Sequence, residues 1–173
     1  PCQVMSDILT FEENNGNIEG KTISWIGDGN NNMSNSFIEA AVKFKFNLKI
    51  GCPKKYSPNN KILKWASNNK TKIFVTKDPR EAAKDADCIM TDKWISMNDK
   101  VNKKAKKKSL KDYQVNKKLF KFAKAECIFM HCLPVGRGEE VTDDIIDGKK
   151  SVVWQQAYNR VHAQKSIINW CLN

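Results

Sequence analysis

The sequence predicts an α/β fold: a Rossmann-like parallel sheet with helices on both faces, in a single domain over residues 1–173. Three observations predict it. The chain has 173 residues, about one domain's length and enough to bury a single core. Six short, near-continuous apolar runs recur along it, rich in Val, Ile, Phe and Trp, as suits parallel strands covered on both faces. Stretches with helical period lie between them, and alternating β and α elements imply a parallel sheet. A composition of 40% hydrophobic and 28% charged residues excludes collagen-like, low-complexity and disordered chains.

The elements follow in order. A first helix is expected near Val4 to Glu13, ending before Asn14-Asn15-Gly16, and the first strand spans Thr22 to Ile26. Ser34 or Asn35 is expected to cap a helix with Phe37, Ile38, Ala41 and Val42 on one face. Strands are expected over Leu48 to Cys52 and Ile73 to Thr76. Asp78-Pro79-Arg80-Glu81 then reads as an N-cap, a first-turn Pro and an acid near the positive end of a helix dipole. Cys88 to Thr91 is the next strand. Residues 93–116 combine high charge with weak apolar period and are expected to form a mobile loop over the site. Asn116 caps a helix carrying Leu119, Phe120 and Ala123. Strands over Ile128 to Cys132 and Ser151 to Trp154 precede a long last helix over 155–172, with Ala157, Val161, Ile168 and Leu172 on a shared face.

The net charge of +11 is concentrated in one patch. Residues 93–124 hold 12 Lys and two acids, and the rest of the chain is close to balance. Only Arg80, Arg137 and Arg160 are arginines, and no aromatic residue interleaves the lysine run. Base reading and phosphate clamping recruit Arg and stacking rings. The patch reads as a solvated helix face, with no nucleic-acid partner expected. No apolar run reaches the roughly 18 to 20 residues of a membrane span, and no secretory pattern opens the sequence. A cytoplasmic protein with no membrane partner is expected. The six cysteines form no compact framework, there is no CxxC pair, and His131 and His162 lack ligand partners at zinc spacing. Reduced thiols, no metal site and no cofactor are expected.

Ligands of open α/β sheets bind beyond the carboxyl ends of the strands, so the segments there carry the candidates. Gly27-Asp28-Gly29-Asn30-Asn31-Asn32 offers a tight turn and amide groups beside a helix start. The dinucleotide fingerprint GxGxxG needs a third glycine at position 32, where this chain has Asn, which counts against a nicotinamide oxidoreductase. In Thr91-Asp92-Lys93-Trp94-Ile95-Ser96-Met97, Asp92 suits an ammonium group, and Ser96 with a nearby N–H suits a carboxylate. An Asp that only caps the next turn is the alternative. In His131-Cys132-Leu133-Pro134, Cys132 is either a reactive thiol beside an imidazole or a core cysteine. Arg160, close to Asn159 and His162, is either a planar fork for an anion or half of a structural ion pair.

Taken with Pro1-Cys2-Gln3, Trp25-Ile26-Gly27-Asp28-Gly29-Asn30-Asn31, Arg137-Gly138-Glu139-Glu140-Val141-Thr142-Asp143 and Asn159-Arg160-Val161-His162-Ala163-Gln164-Lys165, these segments resemble the second, ornithine-binding domain of ornithine carbamoyltransferases over nearly the whole chain. The resemblance implies transfer of a carbamoyl group from carbamoyl phosphate to the side-chain amine of L-ornithine, giving L-citrulline and phosphate. It further implies that Asp92 pairs with the α-ammonium, while Asn31, Ser96 and the backbone at Met97 hold the α-carboxylate. Cys132 would stand beside the attacking amine and the Leu133 carbonyl would receive the carbamoyl NH₂. Gln3 and Arg160 would contact carbamoyl phosphate. Aspartate carbamoyltransferases carry Pro where this chain has Cys132, and Asp92 repels an acidic acceptor but attracts a diamino acid. Putrescine and acylated ornithine remain alternative acceptors.

The sequence departs from the family pattern at Asn98, where Gly is usual, and at Gly136, where His is usual. The family's carbamoyl-phosphate-binding domain, with its Ser-Thr-Arg-Thr-Arg loop, has no counterpart here. An N-terminally truncated chain is therefore expected, holding the ornithine half of the site and inactive alone. The resemblance implies a homotrimer at full length.

Overall fold

The computed structural model describes residues 2–95 and 102–173. Helix α1 (Cys2–Asn15) leads into β1 (Thr22–Ile26), and α2 (Asn32–Phe44), β2 (Asn47–Gly51), α3 (Asn60–Asn68), β3 (Phe74–Thr76) and α4 (Pro79–Ala83) follow. Then come β4 (Cys88–Thr91), α5 (Lys103–Leu110), α6 (Lys117–Phe120), β5 (Ile128–His131), α7 (Asp143–Ile146) and α8 (Val153–Leu172). Among the described residues no helix is long and apolar enough to cross a membrane.

The five strands are all parallel, in the order β3-β2-β1-β4-β5. Successive side chains of a strand point to opposite faces, and the two cores divide along that alternation. Ile23, Trp25, Leu48, Ile50, Cys88, Met90, Ile128 and Met130 pack with Val4, Ile8 and Phe11 of α1 and with Phe37, Ile38 and Ala41 of α2. Ile26, Ile89 and Phe129 pack on the other face with Ala82, Ala83, Ile145 and Ile146. The expected sheet with helices on both faces is present. The chain leaves β1 toward β2 on one side and returns to β4 on the other, so the switch point lies between the ends of β1 and β4.

Three expectations need correction, and one helix was not expected. Ser151 to Trp154 is not a sixth strand. Ser151 makes one bridge to Phe129 and the helix α8 starts at Val153. The next free N–H of β5, that of His131, is taken at 2.9 Å by the side-chain Oε1 of Gln156, so a helix side chain does the work of a strand. Helix α2 is capped by Asn31 rather than Ser34 or Asn35, its side chain accepting from the Ser34 N–H at 2.8 Å. Helix α3, capped by Asn59, went unforeseen because its Ile62, Leu63 and Ala66 stripe is short and embedded in Lys and Asn. The described part of 93–116 is no loose loop: Asn102 caps α5, and Leu110, Tyr113 and Val115 are buried in the second core. The caps at Asp78 and Asn116 are as expected.

Candidate active site

Three strand ends converge. Thr91 Oγ1 donates to the carbonyl of Ile26 at 2.6 Å, tying the end of β4 to the end of β1. Beyond Ile26 the chain turns through Gly27 at φ 126°, in the region that favours glycine. At Gly29 an added Cβ would stand 2.9 Å from the Tyr56 carbonyl oxygen, so only glycine lets these two backbones approach. The turn delivers Asn31 to the start of α2.

Asp92, directly after β4, is the meeting point. Its Oδ2 accepts from Asn31 Nδ2 at 3.1 Å, and its Oδ1 accepts from the Lys93 N–H at 2.7 Å and from Cys132 Sγ at 3.2 Å. Asn31 cannot turn over, because its Oδ1 is occupied as the cap of α2. Three residues separated by 61 and 40 positions are thus fixed around one carboxylate. Asp92 does not cap a turn alone, and Cys132 is not a plain core cysteine.

Cys132 is a protonated donor here. Burial, and then the adjacent Asp92 charge, push its thiol far above the ordinary range. A thiolate nucleophile needs the opposite environment. His131 lies the other way, fully buried: its Nδ1 accepts from the Leu133 N–H at 2.9 Å, and its Nε2 stands 3.4 Å from Glu140 Oε1. That bond holds Leu133 at φ 50° immediately before the cis Leu133–Pro134 bond.

A second group forms where α1 lies along α8. Arg160 Nη1 donates to Gln3 Oε1, and Gln3 Nε2 donates to Asp7 Oδ1 at 2.7 Å. The Nε of Arg160 is buried with no hydrogen-bond partner among the described residues. The alternative of a structural ion pair for Arg160 finds no carboxylate in direct contact among the salt bridges of the described residues. Ser96 and Met97 lie outside the described residues.

The lysine patch also reaches this region. Lys103, Lys104, Lys107 and Lys108 are exposed as expected, but Lys106 is buried. Its Nζ pairs with Asp28 Oδ2 at 2.7 Å and lies 5.5 Å from the Tyr56 ring centroid. Sequence reasoning missed Lys106, and it missed Asp7 and Gln156.

The family model for "Aspartate/ornithine carbamoyltransferase, Asp/Orn binding domain" matches residues 19–171. The chain belongs to that family. Among curated proteins it is 51% identical to an ornithine carbamoyltransferase of Rhodopseudomonas palustris over 172 residues, covering 99% of this chain and 55% of that protein. The ornithine carbamoyltransferase of Nitrobacter winogradskyi is 49% identical with the same coverages. Of solved structures, the ornithine carbamoyltransferase from Pyrococcus furiosus superposes with a TM-score of 0.89 at 43% identity, covering 97% of this chain and 55% of that one. An anabolic ornithine carbamoyltransferase from Campylobacter jejuni gives 0.90 at 33% identity, covering 98% and 57%. This carbamoyltransferase domain therefore spans about half the length of the relatives it matches.

Proposed function

We propose that this domain carries the ornithine side of a carbamoyl-transfer site, in a reaction that joins the side-chain amine of L-ornithine to the carbonyl carbon of carbamoyl phosphate. The observation that carries the reading is the triple grip on Asp92, held by Asn31, Cys132 and the Lys93 N–H at the switch point of the sheet. A carboxylate so fixed attracts a cationic head group and repels an acidic one. The relatives named above are ornithine carbamoyltransferases, which supports that choice of acceptor.

In this reading Asp92 receives the α-ammonium. Asn31, Ser96 and the backbone at Met97 receive the α-carboxylate, and Asn31 has a second amide hydrogen to give besides the one on Asp92. The amine at the other end of the substrate lies near Cys132 and attacks the carbamoyl carbon. A C–N bond forms, the bond to the phosphate oxygen breaks, and the phosphate leaves with the electron pair. Of the two protons the nitrogen gives up, one ends on phosphate and one in solvent. Arg160, with Gln3 turned toward it, faces the carbonyl oxygen and the phosphate, where negative charge develops. The Leu133 carbonyl takes the carbamoyl NH₂. Holding both reactants in line is the larger part of the catalysis. Carbamoyl-phosphate binding by a further domain, a homotrimeric assembly and a cytoplasmic location belong to the same proposal.

Calorimetric titration of the 173-residue chain with L-ornithine and with L-aspartate tests it. Binding of ornithine with no heat from aspartate is expected. Equal binding of both, or of aspartate alone, overturns the reading.

A further inference from the structure

Gln3 and Asp7 stand one turn apart on α1, and Gln156 and Arg160 stand one turn apart on α8. Residues four apart share a helix face, so packing α1 along α8 sets the two pairs against each other. Gln3 Nε2 and Gln156 Nε2 both donate to Asp7 Oδ1, each at 2.7 Å. At the outer ends, Gln3 Oε1 accepts from Arg160, and Gln156 Oε1 accepts from the His131 N–H at 2.9 Å. His131 directly precedes Cys132. Asp7 and Gln156 are buried at 1% and 0% exposure, so solvent cannot substitute for a lost partner.

The direction of the chain follows from the chemistry of the amide. A glutamine has one donor end and one acceptor end. With both NH₂ groups drawn to one acceptor, the carbonyl of Gln3 must face Arg160 and the carbonyl of Gln156 must face β5. Turned over, either amide would aim a carbonyl at the Asp7 oxygen and an NH₂ at another donor, leaving buried polar groups without partners.

We propose that Asp7 is the positioning residue of this site: one buried oxygen orients Gln3 with Arg160 on the carbamoyl-phosphate side and, through Gln156, the backbone ahead of Cys132 on the ornithine side. Asp7 touches neither substrate. The inference rests on the assignment of those two sides under the proposed function. Burial raises the Asp7 carboxyl to about 7, and its Oδ2 is buried with no hydrogen-bond partner among the described residues, a suitable seat for the proton. The Oδ1 atom accepts in either protonation state, so the orientation persists through neutral pH.

Two substitutions separate position from charge. Asp7→Asn keeps an acceptor at Oδ1, and Asp7→Leu keeps the shape and removes it. Each is made in the 173-residue chain and read by the ¹⁵N–¹H signals of the Gln3 and Gln156 side chains and of the His131 amide, beside the calorimetric Kd for L-ornithine. Asp7→Asn is expected to keep the three signals hydrogen-bonded and the Kd within about threefold, whereas Asp7→Leu releases all three and weakens ornithine by about tenfold. Gln156→Met serves where Asp7→Leu does not fold: it is expected to release the His131 amide and weaken ornithine while Gln3 keeps its bond. Unchanged signals and Kd in Asp7→Leu or Gln156→Met overturn the proposal, as does Asp7→Asn behaving like Asp7→Leu. Failure of the unsubstituted chain to bind ornithine sinks the functional reading instead, and the amide signals still decide the role of Asp7.

Discussion

The thiol of Cys132 donates to Oδ1 of Asp92 across 3.2 Å, joining the ends of β5 and β4. A thiol that gives its hydrogen to a carboxylate stays a thiol, and that sets what it does at this site. It holds the carboxylate in place and presents sulfur, not a thiolate, to whatever binds there.

Alkylation kinetics read this directly. Burial and the Asp92 charge hold the Cys132 thiol up, while Cys171 is exposed at the end of α8. Near pH 8, iodoacetamide is expected to label Cys171 at least about tenfold faster than Cys132, by peptide mass spectrometry. Asp92→Asn removes the second cause and is expected to speed labelling of Cys132. An unchanged rate in that variant contradicts the pairing.

Asn31 has two jobs on two atoms, and substitutions part them. Asn31→Ser keeps a capping oxygen for the Ser34 N–H and loses the Nδ2 donor to Asp92. Its stability is expected to stay within about 0.5 kcal/mol of the parent, with weaker ornithine binding. Asn31→Ala loses the cap as well and is expected to cost about 1 kcal/mol in urea denaturation.

The Lys106–Asp28 pair is expected to be the most sensitive single contact outside the two apolar cores. Both side chains are below one-tenth exposed. Lys106→Met leaves the buried Asp28 carboxyl without this cation, at a cost of about 3–5 kcal/mol, and adding Asp28→Asn recovers most of it. Urea midpoints of the single and double variants check this. Equal loss in both would mean that Asp28 finds its stabilisation elsewhere.

Asp7 gives a pH signature with a definite sign. Its carboxyl lies at about 7 in the fold against 3.8 ordinarily, because burial disfavours the charge. Between those values the folded state holds a proton that the unfolded state has released. Stability from this group is full below about 4 and falls as pH rises toward 7, by at most about 4 kcal/mol. Urea denaturation from pH 4 to 8 is expected to show that decline in the parent relative to Asp7→Asn, and a parallel pH profile in the two contradicts it.

Much of this was legible along the chain. The strands over 22–26 and 88–91 match residue for residue, because a fully buried strand is a bounded apolar run. Asp92 and Cys132 were legible for a related reason: each follows a strand, where a parallel sheet gathers its ligand contacts, whereas Asn31 was singled out from Asn30 and Asn32 by the family resemblance. Asp7 and Gln156 were not. They sit inside helices, their partners lie 149 positions apart, and singly each looks like an ordinary polar residue. The available signal was their spacing, Gln3 with Asp7 and Gln156 with Arg160, four apart on each helix. Lys106 was hidden by its neighbours, since five similar lysines cannot be told apart until one is buried. The false sixth strand had the right composition. What overruled it was Gln156, whose side chain satisfies β5 and frees the backbone to start α8.

The central claim is that Asp92 grips the α-ammonium of ornithine. The direct measurement is calorimetric titration of L-ornithine and of 5-aminopentanoic acid, which lacks only that group, into the parent chain and into Asp92→Asn. The account predicts that the parent prefers ornithine by at least about tenfold and that the preference collapses toward one in the variant. The same preference in both proteins would contradict it.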